Sequence, residues 1–258
     1  MAIDGIALAA ITAEMQQLQG SRITKIYQPG KRDIVLHCRQ PGISLPVVLS
    51  ADPQNPRAYI ASAVPDNPLN PPSFCMLLRK YLEGGKILSV LQPDLERILE
   101  ITIENTGEAG ELAQYRLITE IMGRHSNIVL IDCSDTILDA INRVDSRVNR
   151  YRQILPGAVY IPPPDQGKIS PLLLDWQRFL DRVGPTSPKA RLSRIILDNF
   201  AGIGPRTAQE LVHQAGYNPK DLKEEIDDQG LRFLYNSLTS LAKVLEQRGY
   251  TPQVILDT

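Results

Sequence analysis

The sequence predicts an α+β protein with a β-rich first part, residues 1–170, and an all-α second part, residues 171–250. Three observations predict it. Up to about residue 161 the apolar residues come in short β-branched runs separated by Pro-Gly, Gly-Gly and Pro-rich pieces, the texture of antiparallel strands. From Pro171 onward they recur at helical spacing instead. The triplet Pro162-Pro163-Pro164 separates the two regimes.

The elements follow in order. Asp4 is placed to cap a helix carrying Ile6, Leu8, Ile11, Met15 and Leu18, with Gly20 as its stop. Strands are expected at 22–27, 33–38, 45–50 and 57–60, punctuated by Pro-Gly at 29–30 and 41–42 and by the Pro-containing stretch 53–56, which predicts an antiparallel meander. Residues 67–72 are extended and Pro-rich. Ser73 then caps a helix through Phe74, Leu77, Leu78, Tyr81 and Leu82, ended by Gly84-Gly85. A second set of strands is expected at 86–92, 97–104, 115–120, 128–132 and 137–140. In the helical part, Gly184-Pro185 and Gly202-Ile203-Gly204-Pro205 interrupt the periodicity. Residues 251–258 read as the start of a strand returning to the first domain, so the chain is expected to be a piece of something longer.

Composition narrows the class. Hydrophobic residues at 43% and charged residues at 22% describe an ordinary globular protein. No apolar run approaches the ~20 residues of a membrane span, and the N-terminus lacks the basic region of a secretory signal. Cys38, Cys75 and Cys133 are scattered and never form a Cys-x-x-Cys pair, so they read as reduced thiols of a cytoplasmic protein. His37, His125 and His213 are equally scattered, and neither a metal nor a cofactor site is expected. The net charge of −1 argues against a uniformly basic protein. Two local basic clusters, Arg22/Lys25/Lys31/Arg32 and Arg143/Arg147/Arg150/Arg152, leave nucleic acid open as a local partner, although solvated charged faces are the plainer reading.

Three motifs carry chemistry. In the first, Glu120-Ile121-Met122-Gly123-Arg124-His125-Ser126-Asn127, Gly123 can take positive φ and four donor side chains follow at the mouth of an apolar strand. A guanidinium fork, an imidazole and a hydroxyl so close together suit phosphate, carboxylate or carbonyl recognition; a loop that only caps strand ends is the alternative. The second, Gly202-Ile203-Gly204-Pro205-Arg206 before an Ala-containing helix, is a helix-hairpin-helix pattern. Its glycines would let backbone N–H groups approach a phosphate with Arg206 beside them, unless the hairpin is purely structural. The third is the adjacent pair Glu96-Arg97. On a strand these side chains face opposite ways unless the backbone bends between them, and an exposed ion pair of little energetic weight is the alternative.

These segments, with Asp4-Gly5, Arg22-Ile23-Thr24-Lys25-Ile26-Tyr27-Gln28-Pro29, Phe74-Cys75-Met76-Leu77-Leu78-Arg79-Lys80 and Ile137-Leu138-Asp139-Ala140, resemble the N-terminal domain of the NFACT family. That family includes bacterial RqcH, the fibronectin-binding protein A-like proteins and eukaryotic NEMF, and the resemblance covers nearly the whole chain. It implies a β-rich NFACT-N domain similar to the N-terminal fold of formamidopyrimidine-DNA glycosylases, followed in longer members by a coiled coil and an RNA-binding domain. It implies a ribosome-associated quality control factor that binds the large ribosomal subunit and tRNA, and recruits alanyl-tRNA for alanine tailing of stalled chains without a template. The tRNA-binding residues it implies are Glu96 (where the family carries Asp), Arg97, Glu120, Met122, Gly123, Arg124, His125 and Ser126. A fibronectin-binding adhesin and a glycosylase-like enzyme are the alternatives. The chain opens Met1-Ala2-Ile3-Asp4, without the N-terminal Pro nucleophile of the glycosylases, so no covalent catalysis is expected. The oligomeric state stays open.

Overall fold

The computed structural model describes residues 3–107 and 110–251; the strand expected within 252–258 lies outside them. The chain forms two compact units. The first takes residues 3, 11–93 and 97–164, the second residues 4–10, 94–96 and 165–251. The second therefore differs from the continuous stretch 171–250 expected from the sequence, because two short pieces from the β-rich half join it.

One nine-stranded, antiparallel sheet organises the first unit. Its strands are β1 (Arg22–Gly30), β2 (Asp33–Gln40), β3 (Ile43–Ser50), β4 (Arg57–Ile60), β5 (Lys86–Leu91), β6 (Ile98–Thr106), β7 (Leu112–Glu120), β8 (Asn127–Asp132) and β9 (Ile137–Ala140), in the order β4-β3-β2-β1-β5-β6-β7-β8-β9. The two expected sets of strands are thus two meanders fused into one sheet. The seam is short: β1 and β5 pair in register at Arg22 opposite Lys86. Ile23, Ile26, Ile34, Leu36 and Cys38 are completely buried, and helix α2 (Ser73–Leu82) packs against β1. Each fully buried Ile or Leu contributes roughly 1.5–3 kcal/mol. Ser73 is not the cap of α2. Pro72 holds the N-cap position and no side chain caps the helix, while Gly84 at φ +87° ends it as expected. At the other rim, the short strand β9 is covered by the segment that follows: Ile137 donates to Ala158 and accepts from Gly157 (both 2.8 Å).

The second unit is helical. It contains the first residues of α1 (Gly5–Met15), then α3 (Trp176–Val183), α4 (Leu192–Asn199), α5 (Pro205–Gln214) and α6 (Asp228–Gln247). Phe179, Val183, Ile196, Phe200, Val212 and Leu238 form its core, with Ile6 packed against them. Asp4 does cap α1, its Oδ1 accepting from the Ala7 N–H at 2.9 Å. Its second oxygen binds elsewhere, as described below.

Candidate nucleic-acid interface

The polar turn is a 3-10 helix, Gly123–His125, set between β7 and β8. Gly123 sits at φ +59°, the left-handed region where a side chain is strained. The turn closes on itself: Ser126 donates its N–H to the Gly123 carbonyl at 3.0 Å, and its hydroxyl accepts from the Met122 N–H at 2.8 Å. Of the four donor side chains in the motif, only two face solvent. Arg124 and His125 are exposed, and Arg124 Nε donates to His125 Nε2 at 2.9 Å. Ser126 and Asn127 are buried. Asn127 Oδ1 accepts from the N–H groups of Ile128 (2.9 Å) and Asn142 (3.0 Å), while its Nδ2 donates to the Asn142 carbonyl at 2.8 Å. Ser126 is thus spent on bracing the turn, as is Asn127. Met122 is half-buried and packs against the Ile98, Ile118 and Val129 cluster.

Glu120 is turned inward as well. It ends β7 with no exposure, and its carboxylate is held by both guanidinium nitrogens of Arg152, by Nη1 at 2.9 Å and also by Nη2. The Tyr160 hydroxyl donates to it at 2.8 Å. Burial opposes the Arg152 charge, but the hydrogen bonds and charge of Glu120 outweigh it and hold the guanidinium more firmly protonated. Burial, then the Glu120 charge, pushes the Tyr160 hydroxyl well above its ordinary value. A carboxylate so enclosed does not meet a ligand. It ties residues 152–160 to the end of β7, one turn away from Arg124. The basic residue in this triad belongs to a cluster legible in the sequence, but no local spacing pairs Arg152 with Glu120.

Arg97 precedes β6 rather than starting it. The strand begins at Ile98, and Asp94 (φ 43°) and Leu95 (φ 60°) make the turn before it. The Arg97 carbonyl accepts from the Ile121 N–H at 2.8 Å, and Ile98 pairs with Glu120. Backbone pairing thus brings Arg97 beside the approach to the Gly123–His125 turn. Among the described residues no hydrogen bond or ion pair engages its guanidinium. Glu96 falls in the second unit, so the adjacent pair is divided at its peptide bond.

The hairpin between α4 and α5 uses its backbone internally. Gly202 has φ +75°, and its carbonyl accepts from the Ile6 N–H at 3.1 Å. Gly204 has φ −94°, so left-handed backbone is not what requires glycine there. Its N–H donates to Asp4 Oδ2 at 2.9 Å, and the Thr207 hydroxyl donates to the same oxygen at 2.6 Å. A Cβ at Gly204 would lie 2.7 Å from Asp4 Cβ. The start of α5, expected to receive a phosphate, holds the chain's own carboxylate, which satisfies an orphan amide and complements the helix dipole. Gly5 is required by the same junction, since a Cβ there would come within 2.0 Å of the Leu95 carbonyl oxygen. Arg206 is exposed at the first turn of α5. Among the described residues, no group of three or more His, Cys, Asp or Glu is placed to hold a metal.

The fold is a two-unit α+β architecture built on one antiparallel sheet, with a braced Arg-His turn at the β7–β8 end. The chain belongs to the NFACT family: residues 4–258 match the family described as NFACT N-terminal and middle domains. The Rqc2 homolog RqcH of Bacillus subtilis is 41% identical over 218 residues, 84% of this chain and 38% of that protein. The human ribosome quality control complex subunit NEMF is 23% identical over 214 residues, 83% of this chain and 19% of its own. This chain therefore spans less than two fifths of these relatives. Among solved structures, the N-terminal region of the fibronectin/fibrinogen-binding protein of Streptococcus suis superposes with a TM-score of 0.77 at 32% identity, covering 96% of this chain and 100% of that one. The N-terminal domain of fibronectin-binding protein PavA from Streptococcus pneumoniae gives 0.75 at 37% identity, covering 81% and 78%. Among the described residues no helix is long and apolar enough to cross a membrane.

Proposed function

We propose that this chain is the tRNA- and large-subunit-binding module of a ribosome-associated quality control factor. In this reading it positions alanyl-tRNA so that alanine is added to stalled nascent chains without a template. The observation that carries it is the group of Arg97, Arg124 and His125 at one end of the sheet. Two of these side chains are exposed, and the third has no engaged partner among the described residues. All three stand on backbone fixed by Gly123, Ser126 and the Glu120–Arg152 pair. Guanidinium forks and an imidazole fit phosphate and acyl oxygens. The relatives' names, RqcH and ribosome quality control complex subunit, point the same way. The module supplies no covalent chemistry of its own; it binds and orients. The helical hairpin serves as the packing unit that closes on Asp4, with Arg206 exposed at the first turn of α5.

Co-sedimentation tests this reading. The protein, mixed with separated ribosomal subunits, is expected to pellet with the large subunit and to retain tRNA. Capture of immobilised fibronectin, with neither subunit nor tRNA bound, would replace it with the adhesin reading suggested by the names of the superposed structures.

A further inference from the structure

Arg22 of β1 lies directly opposite Arg39 of β2 on one side and Lys86 of β5 on the other. Paired residues of neighbouring strands point to the same face, so these cations form a row across three strands, about 10 Å long. Arg22 and Lys86 are flanked by ladder bonds from Ile23 to Gly85 and from Ile87 to Ser21, both 2.9 Å. They are therefore a non-hydrogen-bonded pair, the kind with the closest side chains. All three are exposed, as is Lys25, which pairs with His37 further along the same two strands. Burial, and after it the Lys25 charge, lowers the His37 imidazole below its ordinary value. Among the described residues none of the four cations is in an ion pair. Arg22 donates to the Gly84 carbonyl, and the nearest acid in register is Glu104, opposite Lys86.

Like charges directly opposite each other weaken an antiparallel pair. The chain holds 29 acidic residues, enough to interleave, yet it sets three cations in register. An external polyanion would remove this repulsion. We propose that the Arg39–Arg22–Lys86 row, extended by Lys25, is a second RNA surface that grips backbone phosphates without reading sequence. Adjacent guanidinium forks at strand spacing suit successive phosphates. The nearby ring of Tyr27 is already engaged, edge-on by His37 and beneath Arg79, so base stacking is no part of the surface. The choice of RNA among polyanions rests on the proposed function; the row itself does not depend on Arg97.

The test is the combined variant Lys25→Gln, Arg39→Gln, Lys86→Gln, which keeps Arg22 and its bond to Gly84. Binding of a transfer RNA is followed by fluorescence anisotropy over a salt series, with thermal melting as the folding control. The expected result is unchanged or raised thermal stability, weaker binding at low salt, and a slope of log affinity against log salt shallower by about two to three, roughly 0.9 for each phosphate no longer neutralised. A folded variant with wild-type slope would overturn the proposal. Poly-glutamate and anionic vesicles serve as further probes. Charge-dependent binding to either, with none to RNA, would overturn the RNA assignment. Arg97→Ala runs alongside: its failure to weaken tRNA binding would count against the proposed function, whereas only the slope decides the row.

Discussion

Burying two opposite charges side by side is costly unless each satisfies the other, and removing one partner costs more than removing both. Glu120 and Arg152 meet this condition at the foot of the Arg124–His125 turn. Glu120→Gln is expected to cost about 3–5 kcal/mol in urea unfolding by leaving a buried guanidinium without its counter-charge. The double change Glu120→Leu, Arg152→Met should recover most of that, and equal losses for the single and double variants would show that the pair itself is not what matters. At the proposed binding face, a charge-assisted hydrogen bond contributes about 1.5–3 kcal/mol, so Arg97→Ala should weaken tRNA retention roughly 10- to 150-fold while the fold persists. Glu96→Asp should be nearly silent. Normal tRNA retention by Arg97→Ala would reduce this site to surface charge. The sequence showed which residues crowd this turn but not which way they point. Four donors in a row look alike in a string, and only the register of β8, with Asn127 as its first residue, turns Ser126 and Asn127 inward.

Strands were legible because apolar alternation and Pro-Gly punctuation are local signals, and β4 and β9 match their expected residues at both ends. The boundary that failed matters more. Arg97 was expected to open a strand, but β6 begins one residue later at Ile98, after two consecutive non-glycine residues at positive φ, Asp94 and Leu95. No propensity announces such a turn, which sets Leu95 against Gly5 and Gly202 where neither has room for a Cβ. The helical hairpin was read from its glycines, and what fills it was invisible because the partner is two hundred residues away. Asp4→Ala is expected to remove the cap of α1 and the acceptor for Gly204 and Thr207 together, for about 2 kcal/mol or more. Amide exchange should then quicken in the first turns of both α1 and α5. Exchange that quickens in α1 alone would mean Asp4 is an ordinary helix cap.

At the scale of the whole molecule, two acids titrate only at high pH: Cys38, fully buried in the sheet, and Tyr160, half-buried against it. Burial pushes the Cys38 thiol up to about 12 from 9.0 and moves the Tyr160 hydroxyl upward as well. Both are held protonated in the fold and lose their protons earlier when unfolded. Stability is therefore unaffected by them below pH 9 and falls as pH rises from about 9 toward 12. Urea midpoints measured across that range should decline, and Cys38→Ala should flatten the first part of the fall; a wild-type midpoint constant to pH 11 would contradict the raised pKa of both groups. The merging of two meanders into one sheet belongs to this scale too. It rests on the short pairing of β1 with β5, whose partners lie 64 residues apart and carry like charges, so sequence pattern alone gives no reason to join them.

The bond from Thr207 to Asp4 spans 203 residues. A ribosome adding roughly 5–20 residues per second leaves Asp4 without this partner for roughly 10–40 s after it is made. For most of that interval only residues 94–96 of the rest of its unit have been made, and Ile6 waits for a helical core whose first fully buried residue is Phe179. The helical unit is therefore expected to close late in synthesis, once α6, which supplies Leu234 and Leu238 of its core, has left the exit tunnel.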